Sequence, residues 1–161
     1  MEYSPTKIDI AAEGIPPIQA PLPAQFNDNQ GNLLNPDWKR VGRILKYKVI
    51  SDTDTLVAGD GIMIDFIDEE LDGTMLISAA AYVSTPSSGG NVTVQVQNVT
   101  QAKDCFSIGL VIDANEYSTL TGVTPYIIDD SIVYHAGDQL SIDIDGAGTG
   151  TSGLIVKLSF Q

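Results

Sequence analysis

The segment 91–100 constrains the fold more than any other part of the chain. It reads Asn-Val-Thr-Val-Gln-Val-Gln-Asn-Val-Thr, with valine alternating with polar side chains over most of its length. Successive side chains of a β-strand point to opposite faces, so this alternation predicts a strand with one buried and one solvated face. Such a strand has to cover its apolar face with a second layer. The segment therefore predicts a protein built from packed β-sheets.

Further segments with strand-like patterns follow Arg43, separated by turns rich in Gly, Pro and Asp. The predicted strands are 43–50, 61–67, 74–85, 91–100, 105–112, 127–128 with 132–134, 139–145 and 154–160. The polar stretch 51–60 is predicted to be a turn, and 68–73 a turn or a single helical turn, whereas 38–48 could also be drawn as a short basic helix. About eight strands with uneven loops predict an all-β fold, an antiparallel β-sandwich of jelly-roll type.

The first 37 residues have a different character, because six of the eight prolines lie there. Proline fixes φ, removes a backbone donor and biases the preceding residue toward extended geometry. The sequence therefore predicts two parts, an extended proline-rich N-terminal arm over 1–37 and a β-sandwich domain over 38–161. We expect the arm to be ordered by docking on a neighbouring protein through its apolar side chains, which are Ile8, Ile10, Ile15, Ile18 and Leu22. The alternative is an arm that folds back on its own sandwich as an extra strand.

Charge is unevenly distributed along the chain. The net charge is −13, yet residues 1–48 hold six basic and five acidic side chains, whereas 49–161 hold two basic and sixteen acidic ones. An acidic body disfavours binding to nucleic acid. The root of the arm is basic, and we expect it to contact an acidic neighbour such as another copy of the chain through Lys39, Arg40, Arg43, Lys46 and Lys48.

The composition also indicates in which compartment the chain is made and whether it contacts a membrane. No window reaches the roughly 18 consecutive apolar residues of a membrane helix, so no membrane association is expected. The start lacks the basic and apolar regions of a signal peptide, and Cys105 as the only cysteine excludes an intramolecular disulfide. We therefore expect assembly in a reducing cytoplasm.

No motif for catalysis, a cofactor or a metal is complete. His135 is the only histidine, and no motif marks a nucleophile beside it. Asp143-x-Asp145-Gly146 resembles the start of a calcium loop, but no acidic residue follows it. We predict no cofactor and no metal, with one secondary candidate for a surface calcium site at Asp52, Asp54 and Asp60.

From about residue 51 to the C-terminus the sequence resembles small jelly-roll structural proteins of tailed bacteriophages, of the head-fibre or capsid-decoration type. The resemblance covers about two-thirds of the chain and lies in four segments, 52–61, 92–100, 137–145 and 153–160. It implies a β module without catalytic residues that forms homo-oligomers, often trimers, on a virion.

Two functions follow from these features. The first is a non-enzymatic virion structural protein, a head fibre, capsid decoration or similar attachment component, that contacts other virion proteins through its N-terminal arm. The alternative is a carbohydrate-binding β-sandwich module acting in host-receptor recognition, for which exposed aromatic side chains would be required. The candidates for that role are Trp38, Tyr47, Tyr82, Tyr117, Tyr126 and Tyr134.

Overall fold

The β-rich sequence folds into antiparallel sheets in the computed structural model, which describes residues 43–161. That range contains ten strands, one 3-10 turn (Glu69–Leu71) and no α-helix. The strands are β1 (Arg43–Thr55), β2 (Gly59–Phe66), β3 (Leu76–Thr85), β4 (Val92–Asn98), β5 (Lys103–Asp104), β6 (Phe106–Ile108), β7 (Leu110–Ile112), β8 (Ile127–Ile128), β9 (Gln139–Ala147) and β10 (Ser152–Phe160).

Two sheets form the body. The first has the order β1-β10-β3, and residues 117–119 continue it beyond β3, where Val83 N–H donates to Tyr117 O and Thr119 N–H to Ala81 O. The second has the order β2-β9-β4, and the far edge of β4 pairs with β7 at its start and with β5 at its end. A small two-stranded sheet of β6 and β8 lies beside them. The predicted antiparallel β-sandwich is consistent with this all-β arrangement.

The core fills the space between the two sheets. The predicted alternation of 91–100 is confirmed, since every second residue of β4 from Val92 to Asn98 is buried and those between are half-buried. Strand β10 alternates in the same way, with Leu154, Val156, Leu158 and Phe160 all at most 1% exposed. Burial of such side chains is worth about 1.5–3 kcal/mol each, so these two strands supply much of the stabilisation.

Four sequence predictions differ from the structure. The predicted strand 132–134 is not one, since within it only Tyr134 forms an isolated bridge, with Thr74. The polar stretch 51–60 is not a turn, because β1 continues to Thr55 and β2 begins at Gly59. Polar residues are accepted there because β1 is an edge strand, and its pairing with β10 shifts register before Thr55. Residues 43–48, drawn alternatively as helix, are strand. The strand predicted over 105–112 is divided at Gly109, where a Cβ atom would lie 2.8 Å from the carbonyl oxygen of Val94.

A buried carboxylate joins the end of β4 to the start of β9. Asp138 is 6% exposed, and its Oδ2 accepts hydrogen bonds from Asn98 Nδ2 (2.9 Å), Gln101 Nε2 (2.6 Å) and the backbone N–H of His135 (3.1 Å). Burial raises the pKa of Asp138, but the bonds from Asn98, His135 and Gln101 outweigh burial, and the pKa lies below its usual value. The carboxylate therefore orders the turns around it.

Candidate interaction surfaces

The outer face of the β1-β10-β3 sheet is basic. Lys46 and Lys157 are directly opposite one another in the β1–β10 ladder, and Lys48 follows two residues after Lys46 on the same side of β1. We call this surface the lysine face. Lys157 Nζ lies 4.7 Å from the centroid of the Tyr82 ring, a cation–π distance, and Lys48 Nζ lies 2.7 Å from Asp52 Oδ2.

Small side chains leave a groove of about 320 Å³ on the lysine face. Its floor contains Ser78, Ala80 and Ser159, whose short side chains cannot fill the space between their larger neighbours. Ile44 and Leu120 line the groove and are 65% and 69% exposed. The groove therefore presents apolar surface to solvent beside the lysines.

The outer face of the β2-β9-β4 sheet, with β5 at its edge, is acidic, and we call it the aspartate face. Burial, together with repulsion by Asp143, Asp60 and Asp104, raises the pKa of Asp145. Four carboxylates from three strands are thus near enough to repel one another. Within residues 43–161 none of the four lies within 4 Å of a Lys or Arg nitrogen.

A second groove, of about 480 Å³, runs along the aspartate face. Asp60, Gln97, Ser141 and Asp143 line it, together with Ile64, which is 52% exposed. Phe66, two residues further along β2, is 57% exposed. Asp143 is held by hydrogen bonds from Gly61 N–H (2.6 Å) and Ser141 Oγ (3.1 Å), which fix its carboxylate at the groove.

The predicted basic root is only partly described. Lys39 and Arg40 lie outside the described residues. The same holds for the predicted boundary between residues 37 and 38 and for the apolar side chains of the arm, which are Ile8, Ile10, Ile15, Ile18 and Leu22. Arg43 forms an ion pair with Glu70, and Lys48 pairs with Asp52, so both are engaged within the body. Lys46 has no carboxylate within 4 Å among residues 43–161, and it faces outward.

The three aspartates of the calcium candidate do not form one cluster. Hydrogen bonds from Lys48 (2.7 Å) and Ser84 (2.6 Å) occupy both oxygens of Asp52 and lower its pKa, whereas Asp60 lines the groove of the aspartate face. From residue 43 onward no group of three or more His, Cys, Asp or Glu side chains is placed to hold a metal ion. Asp52, Asp54 and Asp60 therefore do not make the calcium site considered from the sequence.

The aromatic side chains do not form an exposed platform in the described part of the chain. Tyr47 and Tyr134 are 6% and 1% exposed, and Tyr126 packs edge-on against Phe106 at a centroid distance of 5.8 Å. Tyr117 is 59% exposed, and Tyr82 is covered by Lys157. Trp38 lies outside this range. A sugar ring stacks on exposed aromatic rings, and most tyrosine rings of the described body are buried or covered.

The sequence alone did not predict the lysine face or the aspartate face. The sequence-based prediction assigned Asp60 to a cluster with Asp52 and Asp54, because these lie within nine residues of one another. The structure instead brings Asp60 to Asp143 and Asp145, more than eighty positions later. Only the pairing of β2 with β9 could have revealed this, and the alternation of Asp143 and Asp145 was the one available signal.

Comparison with known proteins gives no relative: no family model, no curated protein and no solved structure matches the chain. Between residues 43 and 161 no helix is long and apolar enough to cross a membrane.

Proposed function

We propose that the chain is a non-enzymatic structural protein of a virion, a head fibre, capsid decoration or similar attachment component. It assembles in the host cytoplasm as a homo-oligomer, with a trimer favoured, and attaches to other virion proteins through its N-terminal arm. The body serves as a rigid module that presents surfaces, and it binds neither nucleic acid nor membrane.

The strand order is the observation that carries the proposal. Counting β7 as the fifth strand and 117–119 as the sixth, the first sheet has the order 1-8-3-6 and the second the order 2-7-4-5. That order is the one a jelly roll requires, with its two Greek keys, and jelly rolls are frequent in viral capsid proteins. This order supports our proposal that the body is of the jelly-roll type, and a jelly roll by itself does not determine function.

Exposed apolar side chains on both outer faces give further support. Ile44, Ile64, Phe66 and Leu120 are each more than half exposed. A monomer gains nothing from apolar surface beside shallow grooves, whereas an assembled protein can bury it against a neighbour. Tyr47 and Tyr134 are buried and Tyr117 is the one largely exposed tyrosine of the described body, so few aromatic faces are available to stack on a sugar and the carbohydrate-binding function is not preferred.

Purified particles provide the first test. We expect mass spectrometry of virions produced by a phage that encodes this chain to detect it at a constant copy number after density-gradient purification. A chain that stays in the cleared lysate and is absent from the particles would overturn the proposal.

The arm is tested separately by two variants. Deletion of residues 1–37 is expected to leave the melting temperature of the body unchanged and to abolish attachment to particles that lack the protein. A full-length variant with serine at Ile8, Ile10, Ile15, Ile18 and Leu22 should lose attachment as well, because it removes only the apolar contacts. If truncation unfolds the body while the surviving folded fraction still attaches, or if both variants still attach, the arm is not the anchor.

A further inference from the structure

We propose that the lysine face of one copy of the chain binds the aspartate face of the next copy, head to tail. This inference rests on the homo-oligomer part of the proposed function and not on the location in a virion. It assigns the two outer sheet faces to one protein–protein contact.

Each face on its own brings like charges together. Lys46 and Lys157 are cross-strand partners, and like charges directly opposite one another destabilise a sheet. On the other side, Asp60 and Asp143 line one groove, and both repel the nearby Asp145 carboxylate. Contact between the two faces of different copies turns both repulsions into attractions.

The shapes of the two faces suit such a contact. Lysine has a flexible four-carbon stem, so Lys46 and Lys157 can extend from one copy toward the carboxylates that line the 480 Å³ groove of the next. Gly61 N–H and Ser141 Oγ already hold the Asp143 carboxylate in place at the groove, so this side chain loses little conformational entropy when a lysine binds it.

Apolar surface accompanies the charges on both sides. Ile44 and Leu120 border the lysines, and Ile64 and Phe66 border the aspartates, and all four are more than half exposed. An interface that combines apolar contact with charge complementarity gains affinity from the first and register from the second. The charged residues therefore specify which faces meet.

The contact is necessarily heterologous, because its two halves lie on opposite sheets of one body. A heterologous contact forms a closed ring if the rotation between successive copies closes, and an open stack if it does not. Because the outer faces of two packed sheets point away from each other, this contact favours an open stack, and a closed trimer would require successive copies to turn by one third of a turn. The stoichiometry measured in solution therefore distinguishes a stack from a closed ring.

Charge reversal on each face provides the test. The full-length variants Lys46→Glu/Lys157→Glu and Asp143→Lys/Asp145→Lys are compared with wild type by light scattering after size exclusion and by sedimentation velocity. We expect each variant to shift toward monomer, with the assembly constant at least about tenfold weaker, equivalent to about 1.4 kcal/mol. A variant that carries all four substitutions should assemble again, because its two faces are complementary once more.

Matched controls separate these contacts from net charge and folding. Asp130→Lys, which reverses a charge at an exposed position in the turn after β8, should leave the assembly constant unchanged, in contrast to Asp145→Lys. Circular dichroism and thermal melts establish that each variant is folded. Raising the salt from about 0.1 M to about 1 M, over which the Debye length falls from about 10 Å to about 3 Å, should weaken the wild-type assembly.

The outcomes distinguish this inference from the proposed function. An oligomer that both reversals leave intact, or that the fourfold variant fails to restore although it is folded, overturns the face-to-face contact and leaves the homo-oligomer standing. A wild-type monomer at high micromolar concentration overturns the inference and the homo-oligomer together. Neither result changes whether mass spectrometry finds the chain in particles.

Discussion

Replacement of Asp138 by alanine should destabilise the body more than any exposed carboxylate substitution. The Asp138 carboxylate accepts three hydrogen bonds, and the donor from Asn98 belongs to a side chain that is 0% exposed. Gln101 also donates to the carbonyl of Val133, and His135 is exposed, so these two donors can find other partners. The Asn98 amide has no route to water in the described structure.

The expected loss of stability is set mainly by the Asn98 donor, because that donor alone has no other partner among residues 43–161. An unsatisfied buried donor costs about 1–3 kcal/mol, and a hydrogen bond to a charged group contributes about 1.5–3 kcal/mol. We expect Asp138→Ala to lower the free energy of unfolding by about 3 kcal/mol, which is a fall in Tm of about 10 °C for a body of this size. Asp138→Asn keeps one acceptor oxygen and should lose less, about 1–2 kcal/mol.

Urea denaturation at constant m-value measures these changes, with Asp130→Ala as an exposed control expected to stay within about 0.5 kcal/mol of wild type. A double-mutant cycle with Asn98→Ala isolates the Asn98–Asp138 bond. Because both single variants break the same bond, their effects should not add, and the coupling should exceed about 1 kcal/mol. Additive effects, or a loss below about 1 kcal/mol for Asp138→Ala, would refute this account of the site.

Three further outcomes are expected. The difference in free energy of unfolding between wild type and Asp138→Asn should narrow as pH falls below 3.8. The pKa of Asp138 is lowered in the folded state, so the stabilisation by its carboxylate is present above the ordinary carboxyl pKa and is lost as the pH falls below it. A difference that stays constant in acid unfolding would contradict this. Gly153→Ala should lower the free energy of unfolding by about 2 kcal/mol or more in chemical denaturation, because φ is +63° and a Cβ would lie 2.5 Å from Ser84 Oγ. Gly61 has φ +61° and open space around it, so Gly61→Ala should cost only the backbone strain of about 1–2 kcal/mol. Equal losses for the two variants would exclude the clash with Ser84. Burial raises the pKa of the Cys105 thiol to about 11, so a thiol reagent at neutral pH should label it only after unfolding in urea, and rapid labelling of the folded protein would show that Cys105 is accessible.

The sequence predicted best where local pattern and burial agree. The alternating segments 91–100, 139–145 and 154–160 all correspond to strands that are central in their sheets. A central strand has neighbouring strands on both sides, so its backbone stays extended and its side chains alternate regularly between core and solvent. The turn at 68–73 was also predicted, and it contains the 3-10 turn Glu69–Leu71.

Prediction failed where tertiary pairing overrides local composition. The polar end of β1 is strand because Thr55 pairs with Ser152, and the break at Gly109 exists because the backbone of β4 comes close to it. The two faces depend on which strands are neighbours, for example β2 beside β9. That information is not contained in the period of any single segment.

The positions of β9 and β10 have a consequence for synthesis of the chain. Each is the middle strand of its sheet, with β9 between β2 and β4 and β10 between β1 and β3. They also follow β1 to β4 in the chain, so the ribosome synthesises them after the strands that they join. Each sheet can close only after its middle strand has been synthesised, so the nascent body must stay soluble with β1 and β3 unjoined until β10 is made. Deletion of 152–161 therefore leaves β1 and β3 without the strand that joins them.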